Sequence, residues 1–178
     1  AGGVAGEIGH TAIDPTGPRC RCGLQGCLEA FVGTQYLIER AAKKAASLPD
    51  PPTWAATGPD LHALIEAAEA GDALAAELIN DTGHWLGIAV SNLLNLVNPS
   101  RVVIGGRLTA AGPLLLRPLR SALAQRTLWT SVESAQVVIS QLPIDAIALG
   151  AATLILQQAL SDPDALLLSP HSAVSPLA

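Results

Sequence analysis

The chain has 178 residues, an apolar content of 49% and a formal net charge of −5, from 10 basic and 15 acidic side chains. This length and apolar content can supply a hydrophobic core, and the acidic balance leaves no electrostatic footprint for DNA. We find neither a signal peptide nor an uninterrupted apolar run of about 18 residues. We therefore expect a soluble cytoplasmic protein that neither enters a membrane nor binds DNA by itself.

The first predicted element is a loop over residues 1–27 that is rich in glycine, proline and cysteine. It contains every cysteine of the chain in a compact cluster with one histidine: His10, Cys20, Cys22 and Cys27. Zn²⁺ favours four tetrahedral imidazole and thiolate ligands, and Cys₃His is a standard structural set. The alternatives are a disulfide with a spare thiol, or thiols packed as small apolar groups. An odd cysteine count pairs badly, so the pattern favours a structural zinc site.

Two carboxylates flank this cluster, because Glu7 lies three residues before His10 and Glu29 lies two residues after Cys27. If one ring nitrogen of His10 binds zinc, the other can face a pocket beside both carboxylates. Such a set of donors and acceptors suits sugar hydroxyls. The alternative is that each glutamate is a solvated charge, with Glu29 opening the following helix.

Helical periodicity follows the loop. Apolar spacing predicts one helix from about Leu28 to Ala46, which ends with a basic turn typical of a helix C-terminus. Residues 47–59 contain four prolines, which predicts an irregular connection. Asp60 is expected to cap the next helix, whose predicted apolar face consists of Leu61, Leu64, Ile65 and Ala68.

A longer helix is predicted from Ala73 to Leu96. Gly83 and Gly87 lie four residues apart, which predicts that another segment approaches the backbone closely in the core. The same spacing marks a membrane dimer only within a fully apolar span, and the polar residues of this helix exclude that interpretation. His84 is predicted to be a packed, hydrogen-bonded histidine rather than a metal ligand.

The remaining sequence alternates between strand and helix patterns. Asn98 to Ser100 should end the long helix, and a short buried strand should lead into the glycine pair Gly105 and Gly106. Alternation of this kind indicates an α/β arrangement. Three prolines and scattered serines predict a flexible tail over residues 163–178. The predicted elements are strands at 101–104 and 136–140 and helices at 112–125 and 146–160.

The segment Gly6-Glu7-Ile8-Gly9-His10, followed by Cys20-Arg21-Cys22-Gly23-Leu24-Gln25-Gly26-Cys27-Leu28-Glu29, resembles the signature of the ROK family of repressors, open reading frames and kinases. Weaker similarity continues through Asn98-Pro99 and Val102-Val103-Ile104-Gly105-Gly106 to about residue 162. The resemblance implies that the histidine and the three cysteines bind structural Zn²⁺. It also implies that Glu7, His10 and Glu29 contact a sugar.

The resemblance further implies an α/β fold, namely the C-terminal part of an actin-like, ribonuclease-H-like sugar kinase fold. Residues 1–29 would form the zinc and sugar loop, 30–97 a helical region and 98–162 an α/β lobe. Kinases of the family carry their phosphate loop and catalytic Asp before this motif, and the chain contains neither of them and no methionine. We therefore expect a catalytically inert C-terminal portion of a longer polypeptide, and a homodimer or higher oligomer as is common in the family.

Two functions compete on this basis. The first is the sugar-sensing domain of a regulator of the glucose, N-acetylglucosamine or xylose repressor type, which binds a sugar or sugar phosphate and reaches DNA only through a missing N-terminal helix-turn-helix. The gap between His10 and Cys20, with its turn at Asp14, and the segment 159–163 favour this function.

The second function is the C-terminal half of an ATP- and Mg²⁺-dependent sugar kinase, resembling a glucokinase or an N-acetylglucosamine kinase. Gly105 and Gly106 would then lie near the nucleotide. A simple turn from strand to loop accounts for this glycine pair equally well.

Overall fold

The structure is a computed structural model that describes residues 5–56, 58–127, 135–142 and 146–162. The chain divides into two compact units, residues 1–140 and 141–178. In the first unit, 3₁₀ turns form at Ile8–His10 and Arg107–Ala111. Its helices are α1 (Leu28–Val32), α2 (Thr34–Ala46), α3 (Thr53–Ala56), α4 (Leu61–Glu69), α5 (Ala73–Val97) and α6 (Gly112–Arg126). The second unit contains α7 (Ala146–Ser161).

The single helix predicted from Leu28 to Ala46 is wrong, because the chain breaks at Gly33 into α1 and α2. Gly33 has extended backbone angles, φ −58° and ψ 134°. Its N–H donates to the carbonyl of Glu29 over 2.8 Å, which closes the last turn of α1. The basic end of α2 was predicted correctly, since Lys43 and Lys44 lie in its last turn.

The connection predicted to be irregular over residues 47–59 contains the short helix α3. Three of its four prolines, Pro49, Pro51 and Pro52, precede the first helical turn, where proline loses no helical hydrogen bond. The N–H of Ala55 donates to the carbonyl of Pro52 over 3.0 Å. Trp54 of this helix packs against the main core, so tertiary contact supports the helical segment.

The cap predicted at Asp60 and the apolar face predicted for α4 are confirmed. The carboxylate of Asp60 accepts a hydrogen bond from the N–H of Ala63 over 2.8 Å, and Asp72 caps α5 in the same way. An N-terminal cap of this type stabilises a helix by about 1 kcal/mol. The predicted face is buried at every position: Leu61, Leu64, Ile65 and Ala68.

The close approach predicted at Gly83 and Gly87 is also confirmed, and the approaching segment is α6. A side chain at Gly83 would collide with the carbonyl oxygen of Leu115 and with the ring of Pro118. At Gly87 the obstacle is the carbonyl oxygen of Leu119. The glycines therefore set the distance between α5 and α6 and allow their backbones to touch.

The main core lies where α2, α4, α5 and α6 meet. Leu37, Leu64, Leu78 and Leu115 are fully buried there. Each buried leucine contributes about 1.5–3 kcal/mol relative to an exposed one. The helical part of the first unit is thus held by apolar packing.

A two-stranded parallel sheet completes the first unit. β1 (Arg101–Ile104) pairs with β2 (Gln136–Ile139), with Arg101 opposite Gln136. Strand, helix and parallel strand confirm the predicted α/β pattern. The prediction of a buried strand is wrong, because Val102 and Ile104 pack inwards whereas Val103 is 56% exposed.

Within the described residues, no helix is long and apolar enough to cross a membrane. In the second unit, α7 matches the helix predicted at 146–160 within one residue. The tail predicted over residues 163–178 lies outside the described residues. The boundaries predicted at residues 29, 97 and 162 remain predictions.

Candidate functional site

The predicted metal ligands converge in space. His10, Cys20, Cys22 and Cys27 each offer one ligand atom, and these atoms all lie within 4.8 Å of one another. The Nδ1 atom of His10 is 3.8 Å from the Sγ of Cys20, and the sulfurs of Cys22 and Cys27 are 3.7 Å apart. This separation excludes a disulfide between Cys22 and Cys27, whose sulfurs would be about 2.05 Å apart. All three cysteines are free.

The spacing fits a tetrahedral metal ion. Zn–S bonds of about 2.3 Å in a tetrahedron place neighbouring sulfurs about 3.8 Å apart. The donor set of three thiols and one imidazole is of the soft type that Zn²⁺ accepts. The cluster could therefore hold a metal ion without rearrangement of the loop.

Backbone hydrogen bonds and two glycines give the loop its shape. The N–H of Cys20 donates to the carbonyl of Leu24 over 2.8 Å, which closes the turn that carries the first two cysteines. Gly23 and Gly26 have φ of +93° and +76°, a region that favours glycine. A side chain at Gly26 would also overlap the carbonyl oxygen of Asp14. These glycines therefore permit a tight ligand loop.

The surroundings shift the pKa values of Cys20 and Cys27 in opposite directions. A hydrogen bond from the Cys22 backbone lowers the pKa of Cys20 to about 6, against the opposing effect of burial. Burial raises the pKa of Cys27 to about 11, and the neighbouring sulfurs of Cys22 and Cys20 add to this effect. A metal ion that binds both as thiolates would therefore displace a proton from Cys27 at neutral pH.

The carboxylate of Glu29 lies between the loop and the start of α2. A Cβ atom built at Gly9 would be 3.6 Å from Oε2 of Glu29, and one built at Gly33 would be 2.6 Å from Oε1. Gly9 directly precedes His10, so Glu29 and His10 lie beside the same stretch of backbone. Both side chains are exposed and accessible to a ligand.

Glu7 faces a different surface. It lines a groove of about 820 Å³ between the first loop and the second half of α5, together with Thr11 and Asn92 among others. His10 and Glu29 do not belong to the lining of this groove. The structure therefore places Glu29 near His10 through Gly9, whereas Glu7 directly precedes the 3₁₀ turn that contains His10, and its backbone carbonyl accepts a hydrogen bond of 3.0 Å from the N–H of His10.

Sequence reasoning missed a set of contacts outside the cluster. Arg21, which lies between two predicted ligands, reaches Gln35 and Glu39 on α2 and lies above the ring of Tyr36. The only detectable signal was that Gln35 and Glu39 are four residues apart and therefore share one helix face. Tyr36 is the single tyrosine of the chain.

The predicted nucleotide contacts lie far along the chain from the cluster. Gly105 and Gly106 follow β1, and Gly106 has φ of +92° where it precedes the second 3₁₀ turn. Among the described residues, a Cβ at Gly105 would meet only Ser140, at 4.0 Å, and one at Gly106 would meet nothing within 4 Å. The described part of the chain therefore leaves the space beside this glycine pair open at the end of the strand.

His84 packs as predicted, with its ring edge-on to Trp85 at 5.8 Å between centroids. Trp85 also contacts Phe31 of α1, at 4.3 Å between ring centroids. Within the described residues, His84 belongs to no group of potential metal ligands.

An α/β lobe with a Cys₃His loop beside exposed carboxylates matches one group of known proteins. The profile of the ROK family matches residues 1–158. The glucokinase of Thermotoga maritima is 34% identical over 157 residues, which cover 86% of this chain and 50% of that protein. The DNA-binding transcriptional dual regulator NagC of Escherichia coli is 34% identical over 142 residues, which cover 79% and 34% of the two chains.

Solved structures agree with this assignment. A ROK family glucokinase from Streptomyces griseus, in complex with glucose and AMPPNP, superposes with a TM-score of 0.73 at 31% identity. The match covers 85% of this chain and 51% of that one. The fold is the α/β, actin-like sugar kinase type that ROK kinases and regulators share.

The chain belongs to the ROK family. It spans about half the length of the glucokinases that it matches. Both repressors and glucokinases are among its relatives.

Proposed function

We propose that the chain is the zinc-stabilised, sugar-binding part of a ROK transcriptional regulator, with a sugar or sugar phosphate as effector. The observation that carries the proposal is the convergence of His10 with three cysteines beside the exposed carboxylate of Glu29. The sugar complex of the Streptomyces griseus relative supports a sugar site in this family.

The metal would act as a scaffold. Four protein ligands leave no open coordination position, which is the property of structural rather than catalytic zinc sites. Because Nδ1 of His10 faces the cysteine cluster, Nε2 is left to hydrogen bond to a sugar hydroxyl. The carboxylate of Glu29 would accept a hydrogen bond from another hydroxyl of the same sugar, and that of Glu7 would do so where the sugar extends into the groove that Glu7 lines.

The regulatory step would depend on two arrangements of the complete protein. A sugar that binds one arrangement more tightly shifts the equilibrium towards it, and DNA affinity changes only by that difference. DNA binding would need a basic helix-turn-helix, which this acidic chain does not itself supply. We also propose a homodimer as the assembly.

The kinase function is the second candidate, supported by the similarity to glucokinases and by the open space beside Gly105 and Gly106. In a kinase this space would receive part of ATP, with Mg²⁺ on the phosphates. Titration with AMPPNP and Mg²⁺, followed by an assay with ATP, separates the two functions in the complete polypeptide. Saturable binding of AMPPNP together with sugar-dependent release of ADP from ATP would favour the kinase, whereas neither is expected for the regulator.

The sugar site is tested by substituting Glu29 with Ala in the complete polypeptide. We expect zinc content to stay at one per chain and sugar affinity to fall about tenfold or more, because a hydrogen bond to a charged group contributes about 1.5–3 kcal/mol. Calorimetric titration with glucose, N-acetylglucosamine and xylose measures the affinity, and elemental analysis measures the metal.

Glu69→Ala, which removes an exposed carboxylate from the far end of α4, is the matched control. Unchanged sugar affinity in Glu29→Ala would contradict the assignment of Glu29. Absence of metal from purified wild-type protein would contradict the assignment of the cluster.

A further inference from the structure

Arg21 extends away from the metal cluster and docks on α2. It lies between the ligands Cys20 and Cys22, yet its guanidinium donates to the Oε1 of Gln35 over 3.0 Å and to the Oε1 of Glu39 over 2.9 Å. These bonds join the turn of the loop to a helix 14 and 18 residues further along the chain.

Tyr36 adds a contact to the backbone of the same turn. Its hydroxyl accepts a hydrogen bond of 2.7 Å from the backbone N–H of Arg21. The ring packs against the small buried cluster of Cys20, Cys27 and Ala30. The guanidinium carbon of Arg21 lies 5.3 Å from the ring centroid. The Tyr36 side chain therefore contacts the backbone of the turn, the guanidinium of Arg21 and the buried cysteines of the cluster.

The contribution of these contacts to stability is small. The Arg21 and Glu39 side chains are 59% and 47% exposed, and exposed ion pairs contribute about 0–1 kcal/mol. Their effect is geometric. The peptide N–H held by Tyr36 lies between two ligands, so fixing it restricts where both sulfurs can point.

Partners of this kind often control a metal site. Groups that orient metal ligands without touching the metal change its affinity about 10–100-fold when they are removed. We propose that Tyr36 and Arg21 form a clamp on α2 that holds Cys20 and Cys22 in ligating positions, so that metal retention depends on this docking. They are positioning residues, and the inference rests on the proposed metal binding.

The test uses the 178-residue chain loaded with Zn²⁺ or, for its visible thiolate absorption, Co²⁺. Tyr36→Phe keeps the ring and removes the hydroxyl, and Arg21→Lys keeps the charge but loses the planar fork. We expect each variant to bind metal about tenfold or more weakly in competition with a chelator. We also expect an altered Co²⁺ absorption spectrum, which a general loss of stability would not produce in the fully loaded protein.

Lys44→Ala is the matched control, because it removes another ion pair of α2, to Glu77 over 2.6 Å, away from the loop. It should leave affinity and spectrum unchanged. If Lys44→Ala weakened metal binding equally, the clamp would be overturned, because any disturbance of α2 would then lower metal affinity. Wild-type affinity and spectrum in both clamp variants would overturn the clamp and leave the proposed metal site intact. A wild-type chain that binds neither metal would overturn both.

Discussion

The metal loop, residues 5–29, and the helical core around α5 are built on different physical principles. The loop buries little apolar surface, chiefly around Cys20, Cys27 and Ala30. The core buries whole leucines between helices whose backbones touch at Gly83 and Gly87. The difference teaches that one chain can combine a loop with little apolar burial, which we propose a metal ion holds together, with a region held by packing. Loss of the metal should therefore unfold the loop, whereas a packing defect should destabilise the helical core.

The largest expected effect is on the loop. Cys22→Ser removes one of four ligands, and we expect loss of stoichiometric zinc together with a lower free energy of unfolding. Binding of structural zinc contributes directly to folding, by about 10–16 kcal/mol in zinc-finger peptides. Elemental analysis measures the metal, and hydrogen exchange locates the damage.

The comparison predicts that amide protection falls in residues 8–27 of Cys22→Ser and persists in residues 78–94 of α5. Wild-type protein treated with a chelator should show the same pattern, because it lacks the same metal. Stoichiometric metal in purified Cys22→Ser would refute the ligand assignment. Uniform loss of protection along the whole chain would show that loop and core unfold together.

A smaller effect is expected from overfilling the core. Gly83→Ala places a methyl group against the carbonyl of Leu115 and the ring of Pro118. Overpacking of this type costs about 1–3 kcal/mol, more than the gain of about 1 kcal/mol from replacing a helical glycine with alanine. Urea denaturation should show a lower midpoint while zinc content stays at the wild-type value.

Gly150→Ala in α7 is the control, since a methyl group there would meet none of the described residues within 4 Å. It should leave the midpoint unchanged or raise it. If Gly83→Ala were as stable as wild type, the close packing of α5 on α6 would not be a source of stability.

The smallest expected effect is that of Gly33→Ala on sugar affinity. Gly33 lies at the break between α1 and α2, where the metal loop meets the helices. A methyl group at Gly33 would lie 2.6 Å from Oε1 of Glu29 and 2.7 Å from its carbonyl oxygen. The backbone angles of Gly33 are open to any residue, so the obstacle is Glu29 itself. We expect Gly33→Ala to displace the carboxylate, which weakens sugar binding by less than Glu29→Ala does, and to lower stability slightly because the carbonyl oxygen of Glu29 must also shift.

A double-mutant cycle measures this link in the complete polypeptide. If Gly33 acts through Glu29, Gly33→Ala should have no further effect on sugar affinity in the Glu29→Ala background. Additive losses would instead indicate that Gly33 matters only for the general structure of α1 and α2.

The structural features that could be predicted from the sequence are those formed by residues close together in the chain. In the caps at Asp60 and Asp72, each carboxylate accepts a hydrogen bond from the backbone N–H three residues later in the chain. The face of α4 follows a repeat of 3.6 residues. Prediction found the face and the first cap. It missed the second because Gly71 and Asp72 together have the pattern of a simple helix break. It also missed α3, since four prolines obscured a helix that tertiary packing of Trp54 supports.

The candidate site shows the same division. The ligand set could be predicted because a histidine and three cysteines within 18 residues form a pattern typical of metal binding. The groove beside Glu7 could not be predicted, because half of its lining comes from α5, about 80 residues later in the chain. The sugar and nucleotide assignments remain predictions.

By itself the sequence determined the cluster of His10 and three cysteines, the long helix α5 and the α/β alternation, because ligand chemistry and periodicity are local properties. Only the tertiary structure decided that α6 is the partner of Gly83, that Glu29 lies beside Gly9, and that Arg21 docks on Tyr36. These arrangements depend on where separate segments meet. No local pattern encodes such meetings, because packing selects them among many alternatives of similar composition.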